Sequence, residues 1–235
     1  MDQGDTMSEL KLENVSYIYP DATRKVVNDV SCAFGAGKVN AVVGPSGSGK
    51  TTLLSMLAGL DSPTEGALYI DGEPLAEMDL DRYRRERVSM IFQAFQLFPL
   101  LTVLENVAFP MELRGIETKD AQEPSRDYLN AVGIGPEKHG RYPANLSGGE
   151  QQRVAIARTL ASGARVLLAD EPTGNLDKAN GQNVIDILKA LAHERDYCVI
   201  IVTHDLNIAA QADHVWQMSD GVLTEQVAHQ EAVSN

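Results

Sequence analysis

The sequence predicts an α/β fold, a parallel sheet covered by helices on both faces, and three observations predict it. Val39–Val43 is a short apolar run broken only by Asn40, and Val166–Ala169 and Val199–Val202 are wholly apolar, as expected of strands buried on both faces. Stretches of helical periodicity alternate with them, the pattern of a parallel sheet with helical crossovers. The chain has 235 residues, 43% apolar and 23% charged, an ordinary globular composition with enough apolar material for one large domain or two small ones.

Leu10–Tyr19 alternates apolar and polar residues (Leu10, Leu12, Val15, Tyr17, Tyr19) and stops at Pro20, which reads as a half-buried strand. Val26–Phe34 is a second strand pattern, closed by Gly35-Ala36-Gly37. Val39–Val43 leads through Gly44–Lys50 into an apolar helix, Thr51–Leu60, and Ala67–Ile70 is a hairpin arm before the Asp71-Gly72 turn. Leu80–Val88 is basic (Arg82, Arg84, Arg85, Arg87) and Val88–Phe92 is strand-like. From about Gln93 to Leu146 the chain turns rich in Pro and Gly with helical periodicity. It reads as a helical insertion, with several apolar side chains hard to bury within so small a segment. Helices are then expected over Gln151–Leu160, Gln182–Ala192 and Leu206–Ala212, the second with Val184, Ile185, Leu188 and Leu191 on one face.

Twenty basic against 33 acidic residues leave a net charge of −13, which disfavours a nucleic-acid binder and direct adsorption to anionic lipid. No apolar run reaches the roughly 18–20 residues of a membrane span. The start, Met1-Asp2-Gln3-Gly4-Asp5, has no secretory character, so a soluble, cytoplasmic chain is expected. Cys32 and Cys198 fall in strand patterns and read as two free core thiols.

Three motifs carry chemistry. Gly44-Pro45-Ser46-Gly47-Ser48-Gly49-Lys50-Thr51 fits the phosphate loop G-x-x-x-x-G-K-S/T, in which backbone N–H groups and a helix N-terminus face a polyphosphate. Lys50 is expected to reach the β- and γ-phosphates of a nucleoside triphosphate and the Thr51 hydroxyl to ligate Mg²⁺. Val166–Ala169 ends in Asp170-Glu171. Asp170 suits Mg²⁺, and Glu171 suits a base taking a proton from the attacking water, with an acidic helix cap as the plainer alternative. In Leu146-Ser147-Gly148-Gly149-Glu150-Gln151-Gln152-Arg153, Ser147 and Glu150 form a capping box, and the two glycines would leave helix N–H groups bare for an anion.

These motifs, in this order and followed by Val202-Thr203-His204-Asp205, resemble the nucleotide-binding subunits of ABC transporters over nearly the whole chain. The resemblance implies a P-loop NTPase (RecA-like) core with a parallel sheet, an N-terminal antiparallel β subdomain and an α-helical subdomain. One nucleotide-binding domain would run over residues 8–230, with the helical part at about 93–160. It implies ATP and Mg²⁺ as ligands and a head-to-tail dimer of two copies. Each ATP would then lie between one phosphate loop, Thr52 included, and the partner copy's segment equivalent to Ser147, Gly148, Gly149 and Glu150. By the same resemblance, Tyr19 matches the aromatic that stacks on adenine, with Tyr17 as the alternative. Gln93 matches the glutamine that touches Mg²⁺ and the attacking water, Asp177 the loop crossing the dimer interface, and His204 the histidine that contacts the γ-phosphate.

Pro172-Thr173-Gly174-Asn175-Leu176-Asp177 resembles the branch of macrolide exporters, lipoprotein-releasing ATPases and the cell-division ATPase. That implies a partner permease with four spans and a large extracytoplasmic domain, and a position on the inner face of the cell membrane through it. Export or extraction of a peptide, lipoprotein or antibiotic is then expected, with mechanotransmission and import as alternatives. Phe95, Leu97, Phe98, Pro99, Leu100 and Leu101 would either receive the permease or form a small core of the insertion. Val222–Asn235 is too short for a regulatory domain.

Overall fold

The computed structural model describes residues 9–226. The expected bounds at 8 and 230, the start Met1–Asp5 and the tail from 227 onward lie outside the described residues. The chain runs β1 (Leu10–Tyr17), β2 (Val27–Phe34), β3 (Lys38–Val43), α1 (Lys50–Leu57), β4 (Glu65–Ile70), β5 (Glu73–Pro74), α2 (Leu80–Glu86) and β6 (Val88–Phe92). It continues through α3 (Val103–Leu113), α4 (Thr118–Ala131), α5 (Gly148–Ala161), β7 (Val166–Asp170), α6 (Lys178–Arg195), β8 (Cys198–Thr203), α7 (Leu206–Ala209), β9 (His214–Ser219) and β10 (Val222–Gln226).

Two sheets result. A six-stranded sheet has the order β10-β9-β3-β8-β7-β6 and is parallel except for the β9–β10 hairpin. A four-stranded antiparallel sheet has the order β2-β1-β4-β5. The unbroken apolar runs follow from this layering. Leu167, Ala169, Val199 and Ile201 point into a core shared with α3, α4, α5 and α6, whereas Val166, Leu168, Ile200 and Val202 point into one shared with α1 and the antiparallel sheet. A strand with a core on each side has no face left for polar residues.

Helix ends are set by side chains that satisfy backbone N–H groups. Ser147 and Glu150 form the expected capping box on α5, Thr102 and Glu105 form a second on α3, and Asp177 caps α6. Val184, Ile185, Leu188 and Leu191 of α6 are all buried, as their spacing requires. Cys32 and Cys198 are free, and burial pushes each thiol up to about 12, so neither is a thiolate at neutral pH.

Several expectations need correction. The first strand ends at Tyr17, leaving Tyr19 beyond it, and the first helix ends at Leu57, because Gly59 turns the chain at φ +66° and Leu60 stands exposed. The helix expected over Leu206–Ala212 closes after Ala209. The expected hard-to-bury side chains of the middle segment are in large part buried. Val103, Val107, Met111, Ala121, Leu129 and Ile134 lie in one core with Val154, Ala157 and Leu160 of α5. Strands β9 and β10 were not foreseen, although Trp216 and Met218 point inward with period two and Asp220-Gly221 makes the hairpin turn. Among the described residues no helix is long and apolar enough to cross a membrane.

Candidate functional site

The loop between β3 and α1 is shaped by its glycines. A Cβ on Gly44 would sit 2.2 Å from the Met218 carbonyl oxygen, so the loop's start lies directly on β9. Gly49, at φ +107°, has the Val26 carbonyl where a Cβ would stand, at 2.4 Å. Gly47, at φ +79°, faces open space. The first turn of α1 has no side-chain cap and no acidic residue, which leaves its N–H groups and dipole for an anion. Lys50 bends back over the loop, its Nζ donating to the carbonyls of Gly44 (2.7 Å) and Pro45 (2.9 Å). Ser48, within the loop, is buried with no partner for its Oγ among the described residues.

A cleft of about 280 Å³ opens here, lined by Gly47, Lys50, Thr51, Thr52, Asp170 and Glu171 together with Val26, Ser46, Gly49 and Val202. Tyr19 lies close by, 44% exposed, with its hydroxyl 2.9 Å from Thr52 Oγ1. Tyr17 meets it edge to face at 5.0 Å but is buried, so of the two rings only Tyr19 is free to stack on a base.

Asp170 ends β7, in register with Phe92 of β6 and Val202 of β8. Burial, and then the neighbouring Glu171, raise its carboxyl above the ordinary value, with Lys50 opposing. A divalent cation beside it would relieve that penalty. Among the described residues no group of three His, Cys, Asp or Glu side chains can hold a metal. One carboxylate, the Thr51 hydroxyl, phosphate oxygens and water are the donor set that suits Mg²⁺.

Glu171 holds φ +45°, rare for a side chain of its size. Its N–H donates to the Val202 carbonyl, and its Oε2 accepts from the Thr203 hydroxyl at 3.1 Å. Its Oε1 accepts from the His204 backbone N–H at 3.0 Å and lies 2.7 Å from His204 Nδ1. The His204 ring is otherwise open to solvent, so it can swing to a ligand without breaking a core. Gln93 does not line the cleft; it packs on Gly174, and Asn175 Nδ2 donates to its carbonyl at 2.8 Å.

The segment from Ser147 to Glu150 does not line this cleft either. Ser147 Oγ accepts from Glu150 N–H, while Glu150 Oε2 accepts from Ser147 N–H and Oε1 pairs with Lys138 at 2.6 Å. Lys138 first, and then the Ser147 N–H, push the Glu150 carboxyl down to about 2. Gly149 is buried under Asn180, whose Oδ1 sits 2.5 Å from where a Cβ would be, and only Gly148 stays partly open. Asn180 is held by Asp177, which accepts from its backbone N–H at 2.9 Å and its Nδ2 at 2.7 Å. Lys138, Asn180 and Thr203 escaped the sequence reading. Thr203 directly precedes His204 and Asn180 stands three residues after a helix cap, but nothing in the sequence pairs Lys138 with Glu150.

The Phe95–Leu101 cluster divides between core and surface. Leu97 packs against the core, whereas Leu100 is 87% exposed and Phe98 40%. Arg158 donates to the Gln96 carbonyl at 2.6 Å and lies over the Phe98 ring, and with Arg84, Arg85, Phe109 and Leu113 it lines a groove of about 240 Å³.

Residues 27–174 match the model of a family described as ABC transporter. The chain is 39% identical over 218 residues to an uncharacterized ABC transporter ATP-binding protein of Bacillus subtilis, YclH, covering 93% of this chain and 96% of that one. It is 43% identical over 227 residues to the macrolide export ATP-binding/permease protein MacB of Salmonella choleraesuis. That match covers 94% of this chain but only 35% of MacB, so the chain spans about a third of that relative. Among solved structures, a bacterial ABC transporter cassette, MJ0796, solved as a dimer, superimposes with a TM-score of 0.82 at 36% identity, covering 92% of this chain and 97% of that one. The same cassette in a dimeric post-hydrolysis state bound to ADP and Pi superimposes equally, at 35% identity.

Proposed function

The chain belongs to the ABC transporter family as an ATP-binding subunit, and on that premise we propose that it hydrolyses ATP to drive a partner permease. Its nucleotide-binding domain works as a head-to-tail dimer of two copies. The phosphate loop Gly44–Thr51, with Thr52 behind it, holds the triphosphate, and Tyr19 stacks on adenine. Lys50 leaves its two carbonyl partners for the β- and γ-phosphates. Thr51 and Asp170 would hold Mg²⁺, with Gln93 joining them only on moving into the cleft from its place on Gly174, and the ion would neutralise charge on the phosphates. Glu171 takes the proton from the attacking water, and His204, released from Glu171, contacts the γ-phosphate. Ser147, Gly148, Gly149 and Glu150 close on the partner copy's nucleotide, with Asp177 at the crossing. Binding closes the dimer, and hydrolysis followed by phosphate release reopens it.

The permease docks on exposed Phe98 and Leu100, beside Gln93, so that the chain sits on the inner face of the cell membrane. A permease partner is supported by the macrolide export ATP-binding/permease relative, and four spans with a large extracytoplasmic domain are what the Pro172–Asp177 resemblance implies. Export or extraction of a substrate such as a peptide, lipoprotein or antibiotic is the work proposed.

The observation that carries this reading is a second carboxylate, Glu171, lining the same cleft as Lys50 and the half-buried Asp170 and gripped by His204. Glu171→Gln tests it. ATP binding should persist while turnover falls roughly 10²–10⁴-fold, and near-parental turnover would refute the base assignment.

A further inference from the structure

We propose that Gln152 is a positioning residue for Glu171, tying the first turns of α5 to the hydrolytic turn of the same subunit. Gln152 is wholly buried, among Val154, Ala155 and Ile156 on a helix that otherwise turns small and apolar side chains inward. Its Nε2 donates to the carbonyl of Pro172 at 2.8 Å, and its Oε1 finds no donor among the described residues. A buried amide using half its capacity is costly next to an apolar side chain of the same size, so the one bond it makes marks its role.

That bond grips the Pro172–Thr173 peptide, the second peptide after Glu171. The left-handed backbone of Glu171 is held by the Val202 carbonyl, which accepts its N–H, and by Gly174 N–H, which donates to its carbonyl at 3.0 Å, while Thr203 and His204 hold its carboxylate from the β8 side. Gln152 holds it from the α5 side. Removing the amide leaves the Pro172 carbonyl without that donor and frees the turn to relax, which misplaces the carboxylate without touching the phosphate loop.

On the proposed dimer reading, the start of α5 meets the partner copy's nucleotide. Gln152 stands one turn behind that contact, so a shift of the first turn reaches Glu171 through a single side chain. Nucleotide in one composite site is thereby coupled to the hydrolytic carboxylate serving the other.

The test is Gln152→Met in the full chain, which keeps length and apolar volume and removes the donor. Steady-state ATP hydrolysis should show kcat lower by about tenfold, KM for ATP within about twofold, and a Hill coefficient falling from about 2 towards 1. Parental kcat and Hill coefficient would overturn the proposal. So would a loss carried wholly by KM, the mark of damage to binding. Glu171→Gln run alongside separates the failures. Parental turnover there strikes the ATPase reading, whereas a dead Glu171→Gln beside a parental Gln152→Met strikes this inference alone. Should Gln152→Met not fold, amide exchange in the parent chain decides. A non-hydrolysable ATP analogue should slow exchange at 148–152 and 173–174 together, and protection of the first stretch without the second contradicts the link.

Discussion

Replacing Asn106 by leucine removes the clamp that shapes the chain from Phe98 to Thr102 and presents Phe98 and Leu100 to solvent. Asn106 is fully buried; its Oδ1 accepts from Phe98 N–H at 2.8 Å, and its Nδ2 donates to the carbonyls of Phe98, Leu101 and Thr102 at 3.1, 3.0 and 2.9 Å. Two of those groups keep another partner, since Leu101 N–H reaches the Phe98 carbonyl and Asn106 N–H the Thr102 carbonyl. The leucine variant therefore orphans two groups, Phe98 N–H and the Leu101 carbonyl. At about 1–3 kcal/mol for each buried unsatisfied group, and towards the low end because Phe98 and Leu101 are part-exposed, the loss is about 2–3 kcal/mol. For a chain of this length that is a fall of about 4–12 °C in Tm. Urea unfolding of the parent and Asn106→Leu measures it, with proteolysis between Phe98 and Leu101 expected to quicken. A loss below about 0.5 kcal/mol would show that the clamp does not hold the loop.

Other perturbations have equally definite outcomes. Gly44→Ala should abolish folding or shift β9, because its Cβ meets a backbone oxygen at 2.2 Å, whereas Gly47→Ala meets open space and should cost only about 1 kcal/mol for its positive φ; comparable melting temperatures would contradict the contrast. The Glu150 carboxyl, held near 2 when folded against 4.5 when free, stabilises the fold fully above 4.5, and that stability drains as pH falls towards 2. Lys138→Ala should flatten the stability profile in that window, and an unchanged profile would refute the Lys138 contribution. Lys50→Ala should weaken ATP binding itself, and an unaltered dissociation constant by calorimetry would remove Lys50 from the phosphate contacts.

Much of the fold is legible where one residue pattern admits one environment. Val166–Ala169 and Val199–Val202 read as two-sided strands because both faces of β7 and β8 are covered, and Ser147 with Glu150 reads as a cap because the bonds are local. Misreadings arise where the partner is distant in sequence. Apolar side chains of residues 93–146 look hard to bury because the α5 side chains that cover residues such as Met111 and Leu129 come some twenty or more residues later. Nothing near Gly149 in sequence announces that the Asn180 side chain lies against it. Gln152 is one glutamine of two in a row, and only its burial against Pro172 separates it from Gln151. Strands β9 and β10 were missed although Trp216 and Met218 alternate, since six residues of mixed polarity resemble a loop until β3 is seen beside them.

The head-to-tail sandwich is tested most directly by the solution mass of the Glu171→Gln chain, measured by light scattering with Mg²⁺ and saturating ATP, and again with ADP. Two phosphate loops closed over by two Ser147–Glu150 segments predict that the mass doubles with ATP and returns to that of one chain with ADP. They also predict that Ser147→Arg prevents the doubling while leaving ATP binding to the monomer intact. A single-chain mass at saturating ATP, or a dimer indifferent to nucleotide and to Ser147→Arg, would contradict it.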